Sequence, residues 1–564
     1  MPVSPKFVVA AALLASLSFH EAQADRKTVC TITVNSPDEK EIFRRSVPAD
    51  DFQFVELVER GRPDWLGSAC RAGVRCDVLV ISGHFDGGDE FYSDRPDTRE
   101  YLPVDEMERV SCSDSCPGLF SQLKEVYLFG CNTLNAEAQN TASAEVGRSL
   151  LRSGHSPADV ARLSRVLNER HSDSNRDRMR QIFVNVPLIY GFSSKAPLGA
   201  TAGPLLDRYF QSGANNGEPV GDSASDSAGY FGSGRANPKL LGLFAGSSMT
   251  SASGLREADS QAGYRRDVCH FSDDRLSMTQ KLGFVHELLR REMAEVRMFL
   301  GYIEKYSTSL SATERLVPAI AAALDEIARD RTARQRYLEF ARDADEPATR
   351  ARMVRLARNL GWLSSVEVRA ELVQMMRDRL RQNVVGPGDV DLFCSLNKNG
   401  ELDAQLDRLP ALPAGANAVG HAAVLACLGS QKGRTRVLRA LTSPNDDDVQ
   451  IAQVYLHHHP IADGDELRTI TAEIARMKST DAQVRALDTL ARYQLSDRES
   501  LDVLTRLFPL ARSIGVQRAI AGVLIRADYR SIANPELVRA LRQHRLKSPN
   551  GEDLIDVLIR RLQS

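Results

Sequence analysis

Two residues carry the chemistry that this chain can do with least help, His84 and Cys131. A cysteine sulfur becomes a nucleophile when a nearby base or positive charge lowers the cost of its thiolate. A neighbouring imidazole takes the thiol proton and returns it to a leaving amine. Each of the two residues closes a short apolar run. Val78-Leu79-Val80-Ile81 leads through Ser82 and Gly83 to His84, and Val126-Tyr127-Leu128-Phe129 leads through Gly130 to Cys131. Runs this short, rich in β-branched and aromatic residues and ended by glycine, predict buried strands of a parallel sheet. Reactive groups in open α/β sheets gather just past the carboxyl ends of the strands. The separation, 131 − 84 = 47 residues, leaves room for a crossover that sets two parallel strands side by side. The backbone N–H groups of Phe85 and Cys131 are then the candidate donors to an oxyanion.

Other residues offer weaker chemistry. Asp86, Asp89, Glu90 and Asp94 form an acidic loop beside His84. With Asn132, Asp86 and Asp89 would line a pocket favouring a Lys or Arg side chain next to the scissile bond; the same loop also reads as simply solvated. Its spacing does not match a calcium-binding helix-loop-helix. Cys112-x3-Cys116 lacks the second Cys or His pair that a zinc site needs. The run His457-His458-His459 has no evident partner ligand and reads as a surface loop. No metal and no cofactor is expected.

The chain has 564 residues, enough for more than one domain, and a net charge of −2 without long single-sign runs, which argues against nucleic-acid binding. Lys6, an apolar core from Phe7 to Phe19 and Ala22-Gln23-Ala24 compose a signal peptide cleaved near Ala24, and no later segment reads as a membrane span. The mature protein is expected to be periplasmic or secreted, where thiols pair. Nine cysteines leave at least one unpaired. Cys70, Cys76, Cys112 and Cys116 are expected to pair among themselves or with Cys30, leaving Cys131 free. A free exported thiol would also suit a purely redox role.

The elements that must position these groups follow in order. A strand is expected at 29–34, a helix from Phe52 to Glu59 continuing toward Trp65, and the His84 strand at 76–81. A polar loop spans 82–99, short helical pieces lie at 104–110 and 119–123, and the Cys131 strand is at 126–129. Helices follow at 136–151 and, as a charged insertion, 157–180, then a strand at 186–192 and a helix at 204–210. This alternation predicts an α/β domain over 25–210, with a mainly parallel sheet between helices. Residues 211–281 are rich in Gly and Ser and read as linker or loop. From 282 to 564 the pattern is all-α. The segments at Val449, Val484 and Val516 look alike, with spacings 484 − 449 = 35 and 516 − 484 = 32. Helix pairs at such a period predict an α-solenoid, and the segments resemble HEAT-type repeats.

The strand ending in Ser82-Gly83-His84 and the strand ending in Gly130-Cys131-Asn132-Thr133 together resemble the caspase-like cysteine peptidases, most of all the bacterial CHAT-type branch. Leu102-Pro103-Val104-Asp105-Glu106, opening a helix between them, and 186–210 downstream fit the same resemblance, which covers about a third of the chain. Phe85 departs from it, since that family usually has glycine after the histidine. The resemblance implies a caspase-like α/β sandwich, His84 as general base, Cys131 as nucleophile and endopeptidase activity on a protein or peptide. The helical repeats would bind a protein partner. The alternative is a catalytically inactive caspase-like domain and solenoid forming an exported interaction scaffold.

Overall fold

A computed structural model describes residues 26–57, 66–85, 88–94, 100–113, 116, 118–137, 144–152, 154–171, 174–214, 235–382, 385–411, 419–493, 495–527, 535–547 and 553–563. The expected signal peptide and Asp86 lie outside them. The chain divides into two compact units, Met1–Ala323 and Leu324–Ser564.

The first unit is built on six strands: β1 (Lys27–Thr33), β2 (Phe52–Glu56), β3 (Val78–Ser82), β6 (Glu125–Phe129), β7 (Leu188–Phe192) and β8 (Met249–Ala252), in spatial order β2-β1-β3-β6-β7-β8. The first five are parallel, and β8 joins β7 antiparallel. A separate hairpin pairs β4 (Glu90–Tyr92) with β5 (Tyr101–Pro103). The apolar runs are continuous because both faces are covered. Leu79, Ile81, Val126, Leu128 and Ile189 turn to one side, against Val104, Met107 and Val110 of helix Val104–Cys112 and Met179 and Ile182 of helix Asn175–Ile182. Val78, Val80, Tyr127, Phe129 and Tyr190 turn to the other, against Ile42 and Phe43 of helix Asp38–Ser46 and Leu206 and Phe210 of helix Gly199–Ala214. The Tyr127 ring stands edge-on to Phe43 at 4.9 Å and stacks on Tyr190 at 5.0 Å.

Several sequence expectations are corrected. Residues 52–56 form a strand, not a helix, because Phe52 and Phe54 alternate with polar neighbours and pair with Lys27 and Val29 at the sheet edge. The stretch 82–99 is not all loop, since β4 pairs with β5. Residues 119–122 form turns rather than a helix. The expected linker contains β8 and the helix Pro238–Leu243. The cysteines pair as Cys30–Cys76, Cys70–Cys116, Cys112–Cys269 and Cys394–Cys427. Cys112 therefore bonds far along the chain to Cys269, outside the expected set. With Cys112 and Cys116 in different bridges, no zinc site joins them. Cys131 is free, as expected. Among the described residues no helix is long and apolar enough to cross a membrane.

The second unit is helical among its described residues. Helices Asp446–His458, Thr480–Leu490 and Ile514–Arg526 begin 480 − 446 = 34 and 514 − 480 = 34 residues apart, and each packs against the next. Helices Gly464–Ala475 and Arg498–Leu507, also 498 − 464 = 34 apart, pack together as a second row. Each of the five starts on a side-chain cap: Asn445, Asp463, Ser479, Asp497 or Ser513.

Candidate active site at the carboxyl edge of the sheet

His84 and Cys131 each follow a strand by two residues, and those strands are neighbours whose ends are level. In the parallel pairing of β3 with β6, Ser82 stands opposite Phe129. His84 is two residues past the first and Cys131 two past the second. The Gly83 N–H still donates to the Phe129 carbonyl at 3.1 Å, so the pairing carries on to the threshold of both. A Cβ at Gly130 would stand 2.8 Å from the Phe85 Cβ and 2.9 Å from the Gly83 carbonyl oxygen. Only glycine lets the two chain ends come this close.

The turn after Gly130 is tied down residue by residue. Asn132 sits in the left-handed region at φ 60°, which asparagine tolerates better than most side chains. Its N–H donates to the Ser194 carbonyl at 2.6 Å, and its own carbonyl accepts from Asn175 Nδ2 at 3.0 Å. Thr133 Oγ1 donates to the Gly130 carbonyl at 3.1 Å and accepts from the Phe192 N–H at 3.0 Å. Gly130, Asn132 and Thr133 thus each have a backbone reason to be where they are. They hold Cys131 half-buried above β7, where its Sγ accepts from the Ala196 N–H at 3.4 Å.

His84 is held from two other directions. Its N–H donates to the Tyr92 carbonyl and its carbonyl accepts from the Tyr92 N–H, both at 2.9 Å, and the two rings lie 5.4 Å apart. On its other side the Ser82 carbonyl accepts from Val34 and Asn35, carrying the β1–β3 contact forward until Asn35 Nδ2 is 3.1 Å from His84 Nε2. Asp94 Oδ2 lies 3.4 Å from the same nitrogen. Among the described residues no hydrogen bond joins the His84 ring to Cys131 Sγ. Nε2 is taken up by Asn35 and Asp94, and among the described residues Nδ1 makes no hydrogen bond.

The other expected site residues separate. The Phe85 backbone is not left-handed, so its side chain brings no strain there; it is fully buried with its ring 4.6 Å from that of Phe91. Among the described residues neither the Phe85 nor the Cys131 N–H donates a hydrogen bond; the first belongs to a fully buried residue and the second to a half-buried one. The Asp89 side chain is 90% exposed with Arg178 Nη1 at 3.6 Å, so it is a solvated acid at the hairpin entrance.

Sequence reasoning placed Asp94 beside His84 as part of an acidic loop, and missed Asn35, Ala196 and Glu39. Asn35 and the 193–196 turn follow strands of this same sheet, so the rule that directed attention to the carboxyl edge would have found them. Glu39 is 2% exposed and accepts from Ser82 Oγ at 3.0 Å, directly beneath the site; burial raises its carboxyl pKa to about 7. Nothing in its local sequence marks it as buried.

Comparison of the chain with protein-family models, with curated proteins and with solved structures finds no match.

Proposed function

We propose that the protein is an exported cysteine endopeptidase of caspase-like type, with Cys131 as nucleophile and His84 as general base. The observation that supports this reading is the register that ends the two adjacent strands level, two residues before His84 and two before Cys131, with Cys131 unpaired while the other eight cysteines are bridged. Four bridges suit an oxidising compartment, which supports export.

With its Nε2 proton held by Asp94 or by the Oδ1 of a turned Asn35 carboxamide, the imidazole keeps Nδ1 as acceptor. Nδ1 takes the thiol proton as sulfur attacks the scissile carbonyl. The Phe85 and Cys131 N–H groups receive the developing oxyanion. The imidazolium then protonates the leaving amine, and water hydrolyses the thioester. The HEAT-like helical unit forms an α-solenoid that receives a protein partner or the substrate; neither nucleic acid nor a membrane span enters this reading.

An electrophilic peptide probe tests it. Cys131 should be modified in the wild-type chain, with His84→Ala slowing modification by about 10²–10⁴-fold. Equal rates in the two chains, or Cys131 found in a disulfide in the purified protein, would sink the reading.

The second reading, an inactive caspase-like domain and solenoid serving as an exported scaffold, is favoured by one observation. Cys131 Sγ is hydrogen-bonded to Ala196, and the ring to Asn35, rather than to each other. The same labelling separates the two.

A further inference from the structure

The helical unit holds a second cluster of reactive side chains. Cys394, Cys427 and His459 place their sulfur and imidazole ligand atoms within 4.8 Å of one another. Cys394 and Cys427 are bridged and buried, and His459 is partly buried beside them. We propose that these three residues form a site for a borderline-soft divalent cation, zinc by preference, which exists when the cysteines are thiols, so that disulfide and metal are alternative states of one site.

Two thiolates and an imidazole are the donor set that zinc prefers, and three protein ligands leave a fourth position open. That position has somewhere to lead. Cys427 and His459 line a cavity of about 310 Å³, whose walls include Asp403, Ser430 and Arg434. A water or an incoming carboxylate would complete the coordination from there. The backbone favours a cation as well. Cys394 lies in the last turn of helix Pro387–Leu396, Cys427 ends helix Val419–Cys427, and His459 caps the end of helix Asp446–His458. Three helix carboxyl ends meet, each carrying partial negative charge.

His459 is prepared for such a role. Its Nε2 is buried and has no hydrogen-bond partner. Its ring stacks on Tyr455 at 5.0 Å, and Tyr455 Oη accepts from Arg434 Nη1 at 3.2 Å. Its neighbour His458 is engaged elsewhere, with Nε2 2.7 Å from Asp391 Oδ1.

The interconversion balances with a dithiol reductant. The dithiol exchanges with the Cys394–Cys427 bond, gives up two electrons, leaves as its own disulfide and yields two protein thiols. Zinc displaces both thiol protons to solvent and takes the two sulfurs and the imidazole. Removing the metal and supplying a disulfide oxidant reverses both steps.

The full chain, reduced with a dithiol, is alkylated with and without zinc, and each cysteine is followed by peptide mass. Zinc should slow alkylation of Cys394 and Cys427 but not of Cys131. His459→Ala should weaken that protection by about 10–100-fold or more, the loss caused by removing even a supporting group at a metal site. His457→Ala should retain it, and His459→Cys, which supplies another ligand, should restore it. Cobalt in place of zinc should give a thiolate-to-metal absorption band. Alkylation indifferent to zinc, protection unchanged in His459→Ala, or cobalt bound without that band would each overturn the proposal.

Discussion

At the scale of single residues, the question is what fixes the His84 imidazole. Two groups compete for Nε2, and they ask for different tautomers. The Asn35 amide donates to a bare nitrogen, whereas the Asp94 carboxylate accepts from a protonated one. Only the protonated form leaves Nδ1 as a base. Replacing Asp94 by Asn should therefore slow Cys131 labelling and move its pH profile, while Asn35→Asp, which can only accept from Nε2–H near neutral pH, should preserve labelling. If both changes leave the profile untouched, neither residue orients the ring. Glu39 gives a second prediction at this scale. Its folded pKa of about 7 lies above the ordinary glutamate value of 4.5. The stability it contributes is full below pH 4.5 and lost as pH rises to about 7, on the order of 3 kcal/mol by linkage. Glu39→Gln should flatten that decline, and thermal melts across this window would show it.

At the scale of elements, the strands carrying His84 and Cys131 were legible because both are short, apolar and closed by glycine. β2 and the hairpin of β4 and β5 were not. Phe52-Gln53-Phe54 alternates over too few residues to outweigh the helix-like continuation behind it, and its strand state is settled by pairing with β1. Glu90-Phe91-Tyr92 is three residues in a polar stretch, and it is a strand because Phe91 is fully buried and Leu102 stands opposite it. The helical repeat was visible in the recurring valines, but its regularity lies elsewhere. Gln483 and Gln517, 34 residues apart, each donate to a carbonyl nine residues back, at Ile474 and Phe508. Gly130 provides the prediction here. Gly130→Ala brings a methyl group against Phe85 and the Gly83 carbonyl, and should destabilise the first unit by about 1–3 kcal/mol. Chemical denaturation would read the loss, and an unchanged midpoint would mean that the two strand ends are further apart than described.

At the scale of the whole molecule, the presence of bridges and a free sulfur was legible, and the partners were not. The odd count pointed to a free sulfur, but spacing carries no information about which thiols meet in space. Cys112–Cys269 shows why: it joins helix Val104–Cys112 to helix Ala262–Ser272 across 157 residues. Removing it as Cys112→Ser with Cys269→Ser should cost about 2–5 kcal/mol, measured as a lowered melting temperature, with Cys131 labelling retained below the new transition. Loss of labelling well below that transition would instead make the bridge part of the site.

The level strand ends before His84 and Cys131 have one more consequence. The two strands end level, with Ser82 opposite Phe129, so the two-residue links from Ser82 to His84 and from Phe129 to Cys131 work as a matched pair of rulers. Lengthening either link by a single glycine would put one group out of step with the other while leaving the pairing of Val78–Ser82 with Glu125–Phe129 unchanged. Lengthening both together would keep the partners in phase. Chains altered at one link and at both would then differ sharply in reactivity although their composition is almost the same.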